Sequence, residues 1–491
     1  MIGGSYLEPV LSFLPPTVTP GLAPPWWLDE ALAAEGGSDE ERAAEAPTLE
    51  GELAVDVAVI GGGYTGLWTA LALREREPSL SIAVLEQEIV GWGPSGRNGG
   101  FVHGFWTQLA SLREMLGDAD ALRLARAGSG IIPAIRTLCE RRGADVWLRE
   151  GGYLKVSAAA AQDAGLERLL TAMRELGVED QAVPLSREEV AERVRSARFR
   201  HGVWLPECAT VQPARLARAL RSAALADGIA VHERTRVVKL EQGDPNVLET
   251  PAGRVRARDV VVATNAWMTG WGPVKRYLTN FGSYVVLTEP VPELLELIGW
   301  TGDEAISDGR MFIHYFRTTN DGRVLMGSGS GPIGFGGAVD CRFTADVPTA
   351  ARAELGLRKL LPGLAPARVT HAWGGPIDVS SDHQPFYGTV PGARIHYGVG
   401  YSGHGVGPAW VGGQILASLV LRADDEWTSL PLVTRKVPKL PPEPIRGVGG
   451  ALVRAAILAC EEREEDGLRV PVAARAVASL PRLFGLRIGT R

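Results

Sequence analysis

Lysine is scarce in this chain of 491 residues: Lys155, Lys239, Lys275, Lys359, Lys436 and Lys439 are the only six among 51 lysines and arginines. Asp and Glu number 57, so the formal net charge is −6 and no cationic surplus draws the chain to nucleic acid. Cysteine is rarer still. Cys139, Cys208, Cys341 and Cys460 lie far apart, with neither C-x-x-C spacing nor the density of a stapled secreted fold, which points to a reducing compartment. No apolar run approaches the roughly 20 residues that cross a bilayer. No Lys or Arg precedes Arg42, and Pro15, Pro16, Pro20, Pro24 and Pro25 interrupt the start, so the features of a signal peptide are missing. These absences predict a cytoplasmic protein. The eight histidines show no H-E-x-x-H spacing, which predicts no metal.

What is present is ordinary globular material, 45% hydrophobic and 22% charged, long enough for two or three domains or one large α/β body. Residues 1–50 are rich in Pro, Ala and Glu and read as an irregular arm, whose Trp26-Trp27 pair is expected to dock on the protein's own surface. From Val55 the texture changes. Val55, Val57 and Val59 alternate with Asp56 and Ala58 and run through Ile60 into glycines, as a buried strand entering a tight turn does. A helix with Leu67, Ala70, Leu71 and Leu73 on its buried face follows, Pro78 stops it, and Ile82, Val84 and Leu85 form a second strand ending at Glu86. Further on, 107–142 and 161–177 read as helical around a strand at 152–157. A helix opens at Pro213, strands follow at 229–232 and 260–263, and 283–288 and 311–328 alternate like strands of a mixed sheet. The last strand, 394–400, precedes a glycine turn and a helix at 408–421.

The pattern G-x-G-x-x-G occurs at Gly61/Gly63/Gly66, Gly91/Gly93/Gly96, Gly329/Gly331/Gly334 and Gly398/Gly400/Gly403; with 60 glycines, roughly one match arises by chance, so context decides. Only the first lies between a clear strand and a clear helix with an acid, Glu86, twenty residues beyond its third glycine. It predicts a dinucleotide site: pyrophosphate at the helix N-terminus, Glu86 on the ribose hydroxyls. An acid there suits NAD and FAD alike. The 329–334 match holds Pro332 and lacks a following helix, and reads as a loop. Two other stretches narrow the choice. GWGPSGRNGGFVHG, 91–104, offers backbone donors and one cation for a charged, flat ligand, and YGVGYSGHGVGPAW, 397–410, puts Ser402 to Val406 at another positive helix terminus.

The combination of GGGYTG, Glu86, SGRNGG, the D-x-x-P-x-x-G run at Asp382/Pro385/Gly388 and GYSGHG resembles the FAD-dependent D-amino-acid oxidase superfamily, nearest to its glycine, sarcosine and gamma-glutamylputrescine oxidase branch, over roughly residues 50–430. The resemblance implies an α/β fold with an α+β second lobe: a Rossmann-like FAD-binding domain assembled from 51–106, 200–270 and 368–425, and a mixed-sheet substrate domain from 107–199 and 271–367, followed by a C-terminal helical extension, 426–491. It implies FAD held by Gly61, Gly63, Tyr64, Thr65 and Gly66, by Glu86, and along pyrophosphate and flavin by Ser95, Gly96, Arg97, Asn98 and Gly99. Val237 matches an adenine-contacting position, Thr264 a second pyrophosphate-side position, and Gly403, His404 and Gly405 the flavin's pyrimidine edge. Some sarcosine oxidases tether the flavin to a cysteine, yet 365–410 contains none, so FAD is expected to be non-covalent; the alternative is a link through a histidine such as His103. Oxidase relatives use a lysine near the flavin to assist oxygen, and none lies between Lys275 and Lys359.

By the same resemblance an amine or amino acid gives its α-hydrogen as hydride to flavin N5, the imine is hydrolysed, and oxygen or another acceptor takes the electrons. The segment 307–327 matches a strand pair that lines the cavity. Alternation puts Phe312, His314 and Phe316 on one face and Ile313, Tyr315 and Arg317 on the other, and Arg317 or Arg310 is expected to grip a carboxylate, with Tyr284, Tyr315 and Trp373 as walls. Beyond Gly467 there are five arginines, Arg469, Arg475, Arg482, Arg487 and Arg491, and no acid. Val472, Ala476, Val477, Leu480, Leu483 and Phe484 form a helical stripe, suited to anionic lipid or to folding back on its own domain. Two other readings compete: a nicotinamide-dependent dehydrogenase, which leaves SGRNGG and GYSGHG unexplained, and a flavoprotein that uses FAD only for folding or partner binding.

Overall fold

The computed structural model describes residues 10–12, 25–483 and 485–486. A nine-stranded sheet carries the first motif. Its centre is parallel: Gly51–Ile60 lies between Ile82–Leu85 and Gly253–Val262, with Ala230–His232 beyond the former and Ile395–Val399 beyond the latter. Period-two alternation makes this sheet two-faced. Val57 and Val59 pack against the helices Tyr64–Arg76, Pro213–Ala226 and Pro408–Leu421, while Ala58 and Ile60 face a second core with Val260, Val262, Met268 and Phe386. Each of these fully buried branched side chains contributes roughly 1.5–3 kcal/mol. The registers Ile60↔Leu85 and Val262↔Ile60 bring several strand carboxyl ends to one edge, where parallel sheets place ligands.

An eight-stranded mixed sheet forms the other lobe, ordered Val369–Ser380, Leu278–Thr288, Val324–Ser328, His314–Thr318, Ala305–Ser307, Tyr153–Val156, Gly202–Leu205 and Val183–Leu185. One face buries Phe316, Met326 and Val286 beneath the helix Val347–Leu360. Two of the expected domain boundaries move. Gly202–Leu205 and Val369–Ser380 were assigned to the cofactor domain, but they pair with Tyr153–Val156 and Leu278–Thr288 and belong to the substrate sheet.

The arm also differs from its expected irregularity: Trp26–Glu35 and Asp39–Glu45 are helices, the second closed by a Ser38/Glu41 capping box. Its remaining residues before Pro25, other than 10–12, lie outside the described ones. Trp27 does dock on the protein, fully buried. The C-terminal extension is helical, with Ile445–Glu465 and Val472–Leu483; Phe484, Arg487 and Arg491 lie outside the described residues. Among the described residues no helix is long and apolar enough to cross a membrane.

Candidate active site

At the carboxyl edge of the nine-stranded sheet the chain turns sharply at Gly61, φ +107°, where a Cβ would come within 2.5 Å of the Ala263 carbonyl oxygen. Only glycine holds this turn. A Cβ on Gly66 would overlap the Gly61 carbonyl, and one on Gly96 the Gly91 carbonyl, so both glycines permit close packing of backbone. Gly63 caps the helix Tyr64–Arg76, and its N-terminus opens onto a cavity of about 370 Å³ that continues between the two sheets.

The proposed cofactor residues converge there. Gly61, Gly63, Tyr64, Thr65, Glu86, Ser95, Arg97, Asn98, Gly99, Val237, Thr264, Gly403, His404 and Gly405 all line this cavity; Gly66 and Gly96 sit just behind it. Glu86 accepts from the amides of Gly62, 2.8 Å, and Glu88, 3.1 Å, while burial pushes its carboxyl up to about 7. Ser95 Oγ accepts from the Tyr64 amide at 3.0 Å, joining the second glycine segment to the first. The segment 94–100 is held from behind. Trp27 Nε1 donates to the Asn98 carbonyl, 3.1 Å, and Trp373 Nε1 to the Arg97 carbonyl, 2.9 Å.

Several residues escaped the sequence reading. Asp378 accepts from the amide of Gly400, 2.5 Å, and from Asn265 Nδ2, 2.8 Å, tying the last glycine turn to the strand Val369–Ser380; burial raises its carboxyl to about 7. Asn265, His383 and Ser402 have φ of 48°, 64° and 53°, a left-handed conformation unusual for side chains other than glycine, and all three line the cavity. Lys155 approaches from the substrate sheet: it donates to the Thr107 carbonyl at 3.0 Å, beside Tyr153 and His103, and burial lowers its ammonium to about 8. The lysine nearest the cavity residues Tyr153 and His103 thus comes from the strand Tyr153–Val156, outside the interval 275–359. A lysine between Leu154 and Val156 in an otherwise apolar strand was the available signal.

The substrate-side expectations fare differently. Tyr315 lines the cavity, its hydroxyl 2.8 Å from Ser283 Oγ, and Phe281, Met311, Phe312 and Ile313 form apolar wall beside it. The other four do not reach it. Arg317 shares the Tyr315 face but lies two residues, about 7 Å, further along the strand; there it donates to the carbonyls of Gly99 and Val211, 2.7 Å each, beneath the glycine loop and over the Trp27 ring. His314 points to the opposite face, paired with Asp308 at 2.8 Å and pressed against Gly356. Tyr284 also faces away and donates to the Arg342 carbonyl, and Trp373 braces the loop as described. Arg310 is bound to Glu465 rather than turned to the cavity. Among the described residues one cluster brings metal-type ligands together, Asp308, His314 and Glu465, but the Arg310 guanidinium stands between the carboxylates, bonded to Glu465 and 3.8 Å from Asp308.

The residues present suit a dinucleotide-sized cofactor. Four buried polar atoms on the cavity residues, Arg97 Nη2, Thr264 Oγ1, Asn265 Oδ1 and His404 Nδ1, have no hydrogen-bond partner in the protein, although buried polar groups are nearly always paired. A glycine turn on a helix N-terminus, an acid at the second strand and a second lobe closing the cavity define a nucleotide-dependent oxidoreductase. The FAD dependent oxidoreductase (DAO) family model matches residues 56–419, and the chain belongs to that family. It is 30% identical over 421 residues to a probable oxidoreductase OrdL of Rhizobium meliloti, covering 84% of this chain and 91% of that protein. It is 30% identical over 386 residues to the gamma-glutamylputrescine oxidoreductase of Escherichia coli, covering 77% and 86%. The fold superposes on a glycine oxidase from Geobacillus kaustophilus with a TM-score of 0.65 at 22% identity, over 78% of this chain and 100% of that one. The chain is an FAD-dependent flavoenzyme.

Proposed function

We propose that this enzyme oxidises the CH–NH bond of a small amine or amino acid and passes the electrons to oxygen or another acceptor, in a cytoplasmic setting. The observation that carries the reading is a single cavity running from the Gly61 turn to the apolar chamber of Phe281, Met311, Phe312 and Tyr315. Similarity to a gamma-glutamylputrescine oxidoreductase and to glycine oxidases supports the substrate class. Bound FAD supplies the two-electron acceptor that takes the hydride as the CH–NH bond becomes an imine, which water then hydrolyses.

The chain's own residues hold and exclude. Gly61, Gly63, Thr65, Ser95 and Thr264 would hold the pyrophosphate, Glu86 would accept from the ribose, and Arg97, Gly403, His404 and Gly405 would meet the flavin. Burial keeps His103 at about 4 and His404 well below its usual value, so these imidazoles stay neutral beside the chamber. Apolar walls and neutral rings disfavour an ammonium and admit the free amine, whose lone pair the reaction needs. With Arg317 bound beneath the loop, the chamber favours substrates carrying an apolar group next to the amine. FAD is non-covalent in this reading; yellow colour retained in an acid-precipitated pellet would overturn it in favour of a covalent link, such as one through His103.

Anaerobic addition of primary amines, N-methyl amines and D- and L-amino acids to the yellow holoenzyme tests the proposal. At least one class should bleach the flavin absorbance. A holoenzyme that bleaches with dithionite but with no amine is a non-catalytic flavoprotein.

A further inference from the structure

The helix Ile445–Glu465 presents apolar side chains on its outward face as well as its inward one. Its inward arginines bond to backbone of the body: Arg446 donates to the carbonyls of Lys275, 2.8 Å, and Leu278, 3.1 Å, and Arg454 to that of Ser330, 3.0 Å. Val453 and Ile457 anchor it against Phe281 and Phe312, the apolar wall of the cavity. Its outward positions over four turns are Ile445, Val448, Ala451, Leu452, Ala455 and Ala459, all exposed and all apolar. A surface helix ordinarily has polar side chains on that face. Seven of the thirteen exposed large hydrophobic side chains among the described residues fall within 445–483, Ile445 and Leu452 being 62% and 61% accessible. So dense a patch marks an interaction surface.

The neighbouring helix Val472–Leu483 indicates what covers it. It packs on the first through Val477, and Arg475 stands 4.0 Å from Glu464. Its exposed positions Val472, Ala476, Leu480 and Leu483 form one apolar arc, edged by exposed Arg475 and Arg482. The sequence from Gly467 onward has five arginines and no acid, and Lys436 and Lys439 stand exposed before the first helix. Two acids at the junction are turned to the body, Glu461 accepting from the Met311 amide and Glu465 from Arg310, while Glu462 and Asp466 are exposed at the end of the first helix, Asp466 3.8 Å from Lys359.

We propose that these two helices form a docking face for an anionic lipid bilayer, lying in its interface without spanning it. An apolar arc with a cationic edge is the composition of an interfacial helix. Anionic headgroups complement the acid-free segment, whereas a second copy would set that segment against its own charge. The bilayer would lie about one helix diameter, ~10 Å, from the cavity wall at Phe281 and Phe312, close enough for substrate or acceptor to be drawn from the membrane. The assignment is independent of which amine the enzyme oxidises.

The test is sedimentation of the FAD-loaded full chain with vesicles of phosphatidylcholine alone or mixed with phosphatidylglycerol. Binding is expected only to the mixed vesicles and is expected to weaken as salt rises. Leu452→Glu and the double variant Arg475→Glu/Arg482→Glu should each lower the bound fraction by roughly tenfold, with flavin absorbance unchanged as the check on folding. Failure to sediment with mixed vesicles overturns the proposal, as does binding that neither variant reduces. A concentration-dependent dimer that Leu452→Glu dissolves, with no vesicle binding, assigns the face to self-association and also overturns it.

Discussion

The two halves of the cavity are built by different means. The nucleotide half is made of backbone: turns at Gly61, Gly63 and Gly400, amides around Glu86 and Asp378, and helix N-termini at Tyr64 and Pro408. The substrate half is made of side chains projecting from strands, where one residue's shift reverses the face and two residues' shift moves a group about 7 Å. A backbone-built site tolerates no added atoms but many side-chain identities; a side-chain-built site does the opposite.

The sharpest way to break this comparison is Gly66→Val. The new side chain collides with the Gly61 carbonyl and must displace the turn itself. FAD affinity should fall by more than about 100-fold, leaving colourless protein, because the turn's amides and the helix terminus move together. Equilibrium titration of FAD-free protein measures it. Retention of stoichiometric flavin would mean that the turn does not carry the cofactor.

The same contrast governs what was legible. Gly61, Glu86 and His404 line the cavity as expected from a strand, a glycine turn and a helix contiguous in sequence, and Arg97 lines it from the glycine-rich stretch 91–104. The expected alternation holds over the strand His314–Thr318, and Tyr315 reaches the cavity; Phe312 and Ile313, expected on opposite faces, precede that strand and both line the cavity. Arg317 does not, because periodicity gives the face of a strand and not the depth at which the other lobe crosses it. Tyr284 and His314 were lost on facing parity, which depends on strand pairings such as Tyr284↔Ser328 and His314↔Ser328. Asp378 and Asn265 are joined by a hydrogen bond across 113 positions, and nothing local announces it. Trp27 was expected to dock, but its role as a donor to Asn98 requires the tertiary contact.

Arg317 is the next test of the comparison. Fully buried and held well below the usual guanidinium value, at about 9, by desolvation, it supports the Gly99 and Val211 carbonyls from the side away from the cavity. Arg317→Met keeps the volume and removes the donors, at a cost of about 1–3 kcal/mol for two buried carbonyls left unpaired. Lower denaturant resistance and weaker FAD retention are expected, with KM for carboxylated and uncarboxylated amines shifting in parallel. A KM rise confined to carboxylated substrates would return Arg317 to the role of substrate clamp.

Glu86 gives the smallest and most diagnostic effect. Its folded carboxyl, at about 7, lies above the ordinary value of 4.5, so the FAD-free fold favours the protonated acid. The sign follows: as pH rises from 4.5 to 7 the unfolded chain releases this proton and the folded chain resists, so the FAD-free protein loses stability over that window, and little further change comes from this group above it. If Glu86 holds the ribose as proposed, hydroxyls donating to the ionised form would reverse the preference when FAD binds. The rise in Tm on adding FAD should therefore be larger at pH 8 than at pH 6, and FAD affinity should weaken by up to roughly tenfold per pH unit below 7. Glu86→Gln should weaken FAD by roughly tenfold at pH 8, the loss of one charge-assisted hydrogen bond, and flatten this group's share of the pH dependence. An unaltered pH profile in the variant would show that the second strand's acid does not face the ribose.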